Sequence, residues 1–251
     1  MSLAADIGAI PPSVPVMKLI HTTSVTNFRS MCASESLVPQ LCPVMCEELT
    51  YYFYGRPAYR PGKLDINSQE RDARAVCLIF KRASINSVVG IYPCDTGAHG
   101  GSLYAPYLDG VTFADMNCAS ISDAEGRIVS RFFDNNEDYF YGLPVEALTP
   151  AANATAAAYH TMLSSLNNTK LDDRSRSIEV VQDSTMPLLG ALEAIIAPDF
   201  LRADPDVSPF LDKLLAGGVN VEFRRAQTLT NAAKMVEAFF PEVARFQGIA
   251  I

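Results

Sequence analysis

Three short segments, far apart in the chain, carry side chains that could do chemistry together. His21 closes the apolar stretch Val16-Met17-Lys18-Leu19-Ile20 and is followed by Thr22 and Thr23. Tyr51-Tyr52-Phe53-Tyr54-Gly55-Arg56-Pro57 is an aromatic run that ends in an arginine. Glu179 lies within Ser177-Ile178-Glu179-Val180-Val181, a second apolar stretch. A histidine, an aromatic–arginine element and a late glutamate, in that order, match the needs of a site that holds NAD and breaks its nicotinamide–ribose bond. Such a cleavage passes through an oxocarbenium-like state, by analogy with other glycosidic bonds. The ribose hydroxyls need a hydrogen-bonding group, which a ring nitrogen of His21 offers. The nicotinamide needs a π-surface, which Tyr52 or Tyr54 supplies. Arg56 can take the pyrophosphate through a bidentate contact. Glu179 can place negative charge beside the developing cation. Taken singly, each also has a plain structural use: a hydrogen-bonded histidine, core aromatics, a surface turn at Arg56, a polar tooth on a strand at Glu179.

These residues need strands to hold them, and the pattern supplies a mixture. A strand is expected at about 16–21, then a helix from Ser24 with Val25, Phe28 and Met31 on one face. The aromatic run from Leu49 to Tyr54 suits a pleated sheet. Ala75 to Phe80 is a continuous apolar run fit for a central strand, and Ser87 to Tyr92 reads as another. Pro93 to Gly101 is glycine-rich and polar, hence a loop, either a lid over the site or a connecting turn. Residues 104–150 show no clear period and read as irregular, with an apolar patch at Ile128 to Phe133. Ala151 to Leu166 spaces Tyr159, Met162, Leu163 and Leu166 for one buried helix face. Strands follow at Ser177–Gln182, Leu192–Ala197 and Val219–Phe223. A helix with Ser208 as its cap and Pro209 at its first position precedes the last of these. A terminal helix is expected at about 230–240. The class is α+β, with a loose leader at 1–15 and one domain at 16–251.

Composition narrows the field. Of the 251 residues, 49% are hydrophobic and 19% charged, which excludes a disordered chain. A net charge of -8 repels phosphate backbones, with Arg71, Arg74, Lys81 and Arg82 as a local basic exception. The six cysteines form no CxxC pair, and with three histidines no metal site is expected. Reduced thiols, the lack of a signal-peptide pattern and the lack of any run of ~20 apolar residues make the expected location cytoplasmic, with no membrane partner. The sequons at Asn153 and Asn167 are then chance matches.

The ordered segments resemble the DarT-type ADP-ribosyltransferases, a toxin family of DNA-modifying enzymes. In that family a first strand ends in the NAD-binding histidine, an aromatic strand runs into an Arg-Pro-like element, and a late strand carries the catalytic glutamate. Ile20-His21-Thr22-Thr23, Tyr52-Phe53-Tyr54-Gly55-Arg56-Pro57 and Asp172-Asp173-Arg174-Ser175-Arg176-Ser177-Ile178-Glu179-Val180-Val181 are similar to these in turn. Met186-Pro187-Leu188 and Leu192 to Pro198 continue the likeness. The resemblance implies a split two-sheet ADP-ribosyltransferase-like core with peripheral helices and NAD as substrate. It makes Glu179 the catalytic residue, Arg56 a catalytic or phosphate contact, and His21, Thr22, Thr23, Tyr52 and Tyr54 the NAD-binding set. A toxin or defence effector of this kind implies an antitoxin or regulatory partner. The chain departs from the pattern at Ile178, which replaces a small residue, and at Val180, which replaces an aromatic one. Its middle region carries Asp109, Asp115, Asp123, Asp134, Glu137 and Asp138, poor material for a DNA track. The acceptor therefore stays open among protein, nucleotide, RNA and DNA, or water in an NAD hydrolase.

Two other readings compete. A non-catalytic recognition module on the same fold would pin Glu179 in a salt bridge with Arg174 or Arg176. A cysteine hydrolase would pair Cys94 with His99. The glycine-rich loop lacks the lysine of a P-loop, which excludes that motif.

Overall fold

The computed structural model describes residues 2–58, 74–165, 173–225 and 237–250. The expected terminal helix at about 230–240, Leu166 and the basic residue Arg71 lie wholly or mostly outside them. In chain order the first elements are α1 (Leu3–Ile7), β1 (Leu19–Ser24), α2 (Val25–Ser34), β2 (Ser36–Leu37), β3 (Gln40–Leu41), β4 (Glu48–Tyr54), β5 (Ala75–Phe80) and β6 (Val88–Tyr92). Five short helices follow: α3 (Thr96–Gly100), α4 (Ala105–Leu108), α5 (Phe113–Met116), α6 (Ala124–Phe132) and α7 (Asn136–Tyr141). The remainder is α8 (Ala154–Leu163), β7 (Glu179–Gln182), β8 (Met186–Pro187), β9 (Leu192–Pro198), α9 (Ser208–Ala216), β10 (Asn220–Arg224) and α10 (Phe240–Gln247). The class is α+β, as the sequence implies. The chain divides into two compact units, each assembled from separate stretches.

Unit 1 comprises Met1–Met17, Leu41–Gly55 and Ser87–Asp183. Its sheet is antiparallel in the order β4-β7-β6, so β7 is central and all four of its residues are buried. The outer edge of β6 is closed by Asn117, whose side chain accepts from Ile91 N–H and donates to Val89 O, and by Cys118, whose N–H donates to Ile91 O. Covering an edge in this way removes a template for unwanted strand pairing. The region that lacks a sequence period is helical, from α4 to α7, but in pieces of four to nine residues. The Tyr139 hydroxyl stitches α7 to the sheet. Tyr139 donates to Tyr54 O at 2.6 Å and accepts from Ile178 N–H at 3.0 Å.

The expected loose leader is a packed element instead. In α1, Leu3 and Ile7 are fully buried. Asp6 pairs with Arg131 of α6 at 2.6 Å and also accepts from the Asn153 N–H that precedes α8. Both partners of the ion pair are almost wholly buried, so α1 cannot leave without stranding a charge.

Unit 2 comprises Lys18–Gln40, Arg56–Asn86 and Ser184–Ile251. Its strands run β10-β9-β5-β1, with β10 parallel to β9 and the other pairs antiparallel. All six residues of β5 are buried, which is why its sequence is apolar without alternation. Between β9 and β10 the chain makes a crossover through α9, which packs on β10. Ser24 caps α2 by accepting from Asn27 N–H, and Val25, Phe28 and Met31 are buried as their spacing implies. At α9 the cap is one residue earlier than expected: Val207 holds that position, and Ser208 is the first helical residue. A small sheet pairs β2 with β8. Among the described residues no helix is long and apolar enough to cross a membrane.

Candidate functional site

Glu179 begins β7, the central strand of unit 1, between Phe53 of β4 and Tyr92 of β6 in the register. Directly opposed residues point to the same face of a sheet, and alternate residues share a face. Glu179 therefore shares its face with Phe53, Tyr92, Tyr51 and Val181. Only 3% of the Glu179 surface is exposed. Its Oε2 accepts two hydrogen bonds from Thr96, one from the N–H at 3.1 Å and one from the hydroxyl at 2.6 Å. Among the described residues no arginine or lysine pairs with it. The salt bridge to Arg174 or Arg176 expected of a recognition module is not formed. Burial above all, with the Asp95 carboxyl adding to it, holds the Glu179 carboxyl well above the usual range, while the Thr96 bonds pull the other way.

The surroundings of this carboxyl are aromatic and thiol-bearing. Tyr51 is raised by burial first, with Cys42 and Glu179 adding to it. Tyr92 is raised by burial first, then by Glu179 and Glu47. Its ring folds back over Gly90, where a Cβ would come within 2.4 Å of it, so the glycine makes room for the ring. Phe113 stands edge-on to Tyr92 at 6.3 Å and to His99 at 5.3 Å. Among the described residues no group of His, Cys, Asp and Glu is arranged to hold a metal ion.

The two tyrosines named from the sequence lie on the other face of β4. Tyr52 opposes Val180, and its hydroxyl donates to Gln182 at 3.0 Å. Tyr54 is fully packed, and its hydroxyl accepts from Met17 N–H at 2.9 Å. Strand alternation thus gives the position beside Glu179 to Tyr51 and Phe53. Sequence reasoning missed Tyr51, Tyr92, Asp95 and Thr96 as neighbours of the glutamate. The alternation was legible, but which set faces Glu179 depends on the pairing register of β4 with β7.

The remaining candidates belong to unit 2. His21 sits on β1 opposite Leu78 and is half-buried. Thr23 shares its face, whereas Thr22 points to the opposite one, where it opposes the buried Cys77. Arg56 is 5% exposed, and its guanidinium lies 5.6 Å from the centre of the Phe240 ring at the start of α10.

The glycine-rich segment is not a bare loop. Asp95 caps α3 by accepting from Ala98 N–H at 2.5 Å, and the helix carries Thr96 onto Glu179. Cys94 is fully buried, and burial, with Asp95 and Glu179 adding, holds its thiol well up. His99 Nε2 donates to Val111 O at 2.9 Å. A nucleophile needs a thiolate with a base in reach, so this environment counts against the cysteine hydrolase. No protein-family model, curated protein or solved structure matches the chain.

Proposed function

We propose that the chain is an NAD-dependent mono-ADP-ribosyltransferase with an ADP-ribosyltransferase-like split two-sheet core, acting in the cytoplasm as a toxin or defence effector. The observation that carries the reading is Glu179. It is a buried carboxyl without a cationic partner among the described residues, set on a central strand with aromatic rings on its own face. Burying a carboxyl with no cation costs stability, and strongly displaced carboxyls concentrate where chemistry uses them.

In this reading the nicotinamide ring packs on the aromatic face of Tyr51 and Tyr92. Its positive charge favours the ionised form of Glu179, whose proton passes to solvent water as NAD binds, and leaves a carboxylate beside the ribose. As the bond from ribose C1 to the nicotinamide nitrogen lengthens, the bonding electrons leave with neutral nicotinamide. Positive charge grows on the ribose, where Glu179 stabilises it and holds a ribose hydroxyl. The acceptor attacks C1 and gives up a proton; with water as acceptor the product is ADP-ribose. Expression in a bacterial host is expected to lower cellular NAD and arrest growth, with Glu179→Ala harmless at equal abundance. Unchanged NAD and growth with active-site-intact protein would count against the reading and favour a recognition module.

A further inference from the structure

Glu179 is held by one residue through two bonds to one oxygen. The Thr96 N–H and hydroxyl both reach Oε2, and Oε1 has no hydrogen-bond partner among the described residues. Two donors from one residue fix the carboxyl rotation as well as its position. Thr96 is itself braced. The Asp95 N–H donates to Arg174 O at 3.2 Å, which ties this segment to the turn that enters β7. The Tyr159 hydroxyl spans the same two segments, at 2.6 Å from Pro93 O and 3.3 Å from Ser175 O.

We propose that Thr96 is the positioning residue of the site: it locks Oε2 of Glu179 so that Oε1 is presented to the ribose hydroxyl of NAD. This rests on the reading of Glu179 as the catalytic carboxylate. The other titratable groups around Glu179 are Asp95 and Cys94 from the same segment, Tyr51 from β4, Tyr92 from β6 and Cys42 from the turn before β4. Asp95 disfavours the carboxylate, and the Thr96 hydroxyl offsets it by donating to the ionised form.

The test is steady-state nicotinamide release by the full chain with Thr96→Val and Thr96→Ser, each first checked for folding by circular dichroism and melting. Valine keeps the shape and the backbone donor and removes the hydroxyl. It is expected to lower kcat by ~10–100-fold with KM for NAD within about twofold, and to move the acid limb of the kcat profile to higher pH. Serine is expected to restore both; Thr96→Ala replaces valine should that variant not fold. A valine variant with wild-type kcat and an unmoved limb, or a serine variant as impaired as valine, overturns the inference and leaves the function standing. A wild-type protein that neither releases nicotinamide nor binds NAD overturns both.

Discussion

At the scale of the residue, Glu179 works against stability. Its carboxyl is raised in the folded protein above its unfolded value of about 4.3, so the native state keeps a proton that the unfolded chain gives up. Its contribution is fully present below the unfolded pKa and is lost as pH rises through the folded value. Glu179→Gln keeps an acceptor for Thr96 and removes the charge. It is therefore expected to melt ~2–4 °C or more above wild type at pH 8, with the difference shrinking toward pH 4; calorimetry across that range checks the sign. The tyrosines separate on the same logic. Tyr51→Ala, on the face of Glu179, is expected to raise KM for NAD by ~2–10-fold. Tyr52→Phe is expected to cost ~1 kcal/mol of stability through the lost bond to Gln182 and to leave KM unchanged. Urea unfolding alongside initial rates distinguishes the two effects.

At the scale of the element, what was legible depended on length and burial. Helix α2 was visible from its Ser24 cap and three buried positions, and β5 from its unbroken apolar run. The helices between residues 105 and 141 were not, because a piece of four to nine residues spans too few turns to show a period. The cap at Asp95 was readable in principle, since Asp before a turn of small residues is a helix-start signal; the glycines around it hid the signal. Helix α1 was missed for another reason: its partner residues Arg131 and Asn153 lie more than a hundred positions away. Asp6→Ala strands the buried Arg131 and is expected to destabilise unit 1 by about 3–5 kcal/mol. A loss under 1 kcal/mol in denaturant titration would restore the loose leader.

At the scale of the whole molecule, the candidate carboxylate depends on a sheet collected from distant sequence. Strand β7 takes its neighbours from residues 48–54 and 88–92, and Tyr54, from the first of these, accepts a hydrogen bond from Met17. A fragment of residues 87–183 alone leaves β7 without β4 and is expected to aggregate; a monomeric, cooperatively melting fragment would contradict this. The α+β class was legible because strands and helices alternate without a fixed rhythm. The grouping into units was not, because each is interleaved with the other along the chain. The acidic surplus sits mainly in the stretches of unit 1, the same unit that carries Glu179, so non-specific affinity for nucleic acid is not expected there. The most direct test of the central claim is nicotinamide release from NAD by the purified full chain and by Glu179→Ala, with and without candidate acceptors, and products followed by mass spectrometry. The account predicts release by wild type that the substitution abolishes, with ADP-ribose on the acceptor or free in solution. Release that survives in Glu179→Ala, or a wild-type protein that neither binds nor cleaves NAD under any of these conditions, would contradict it.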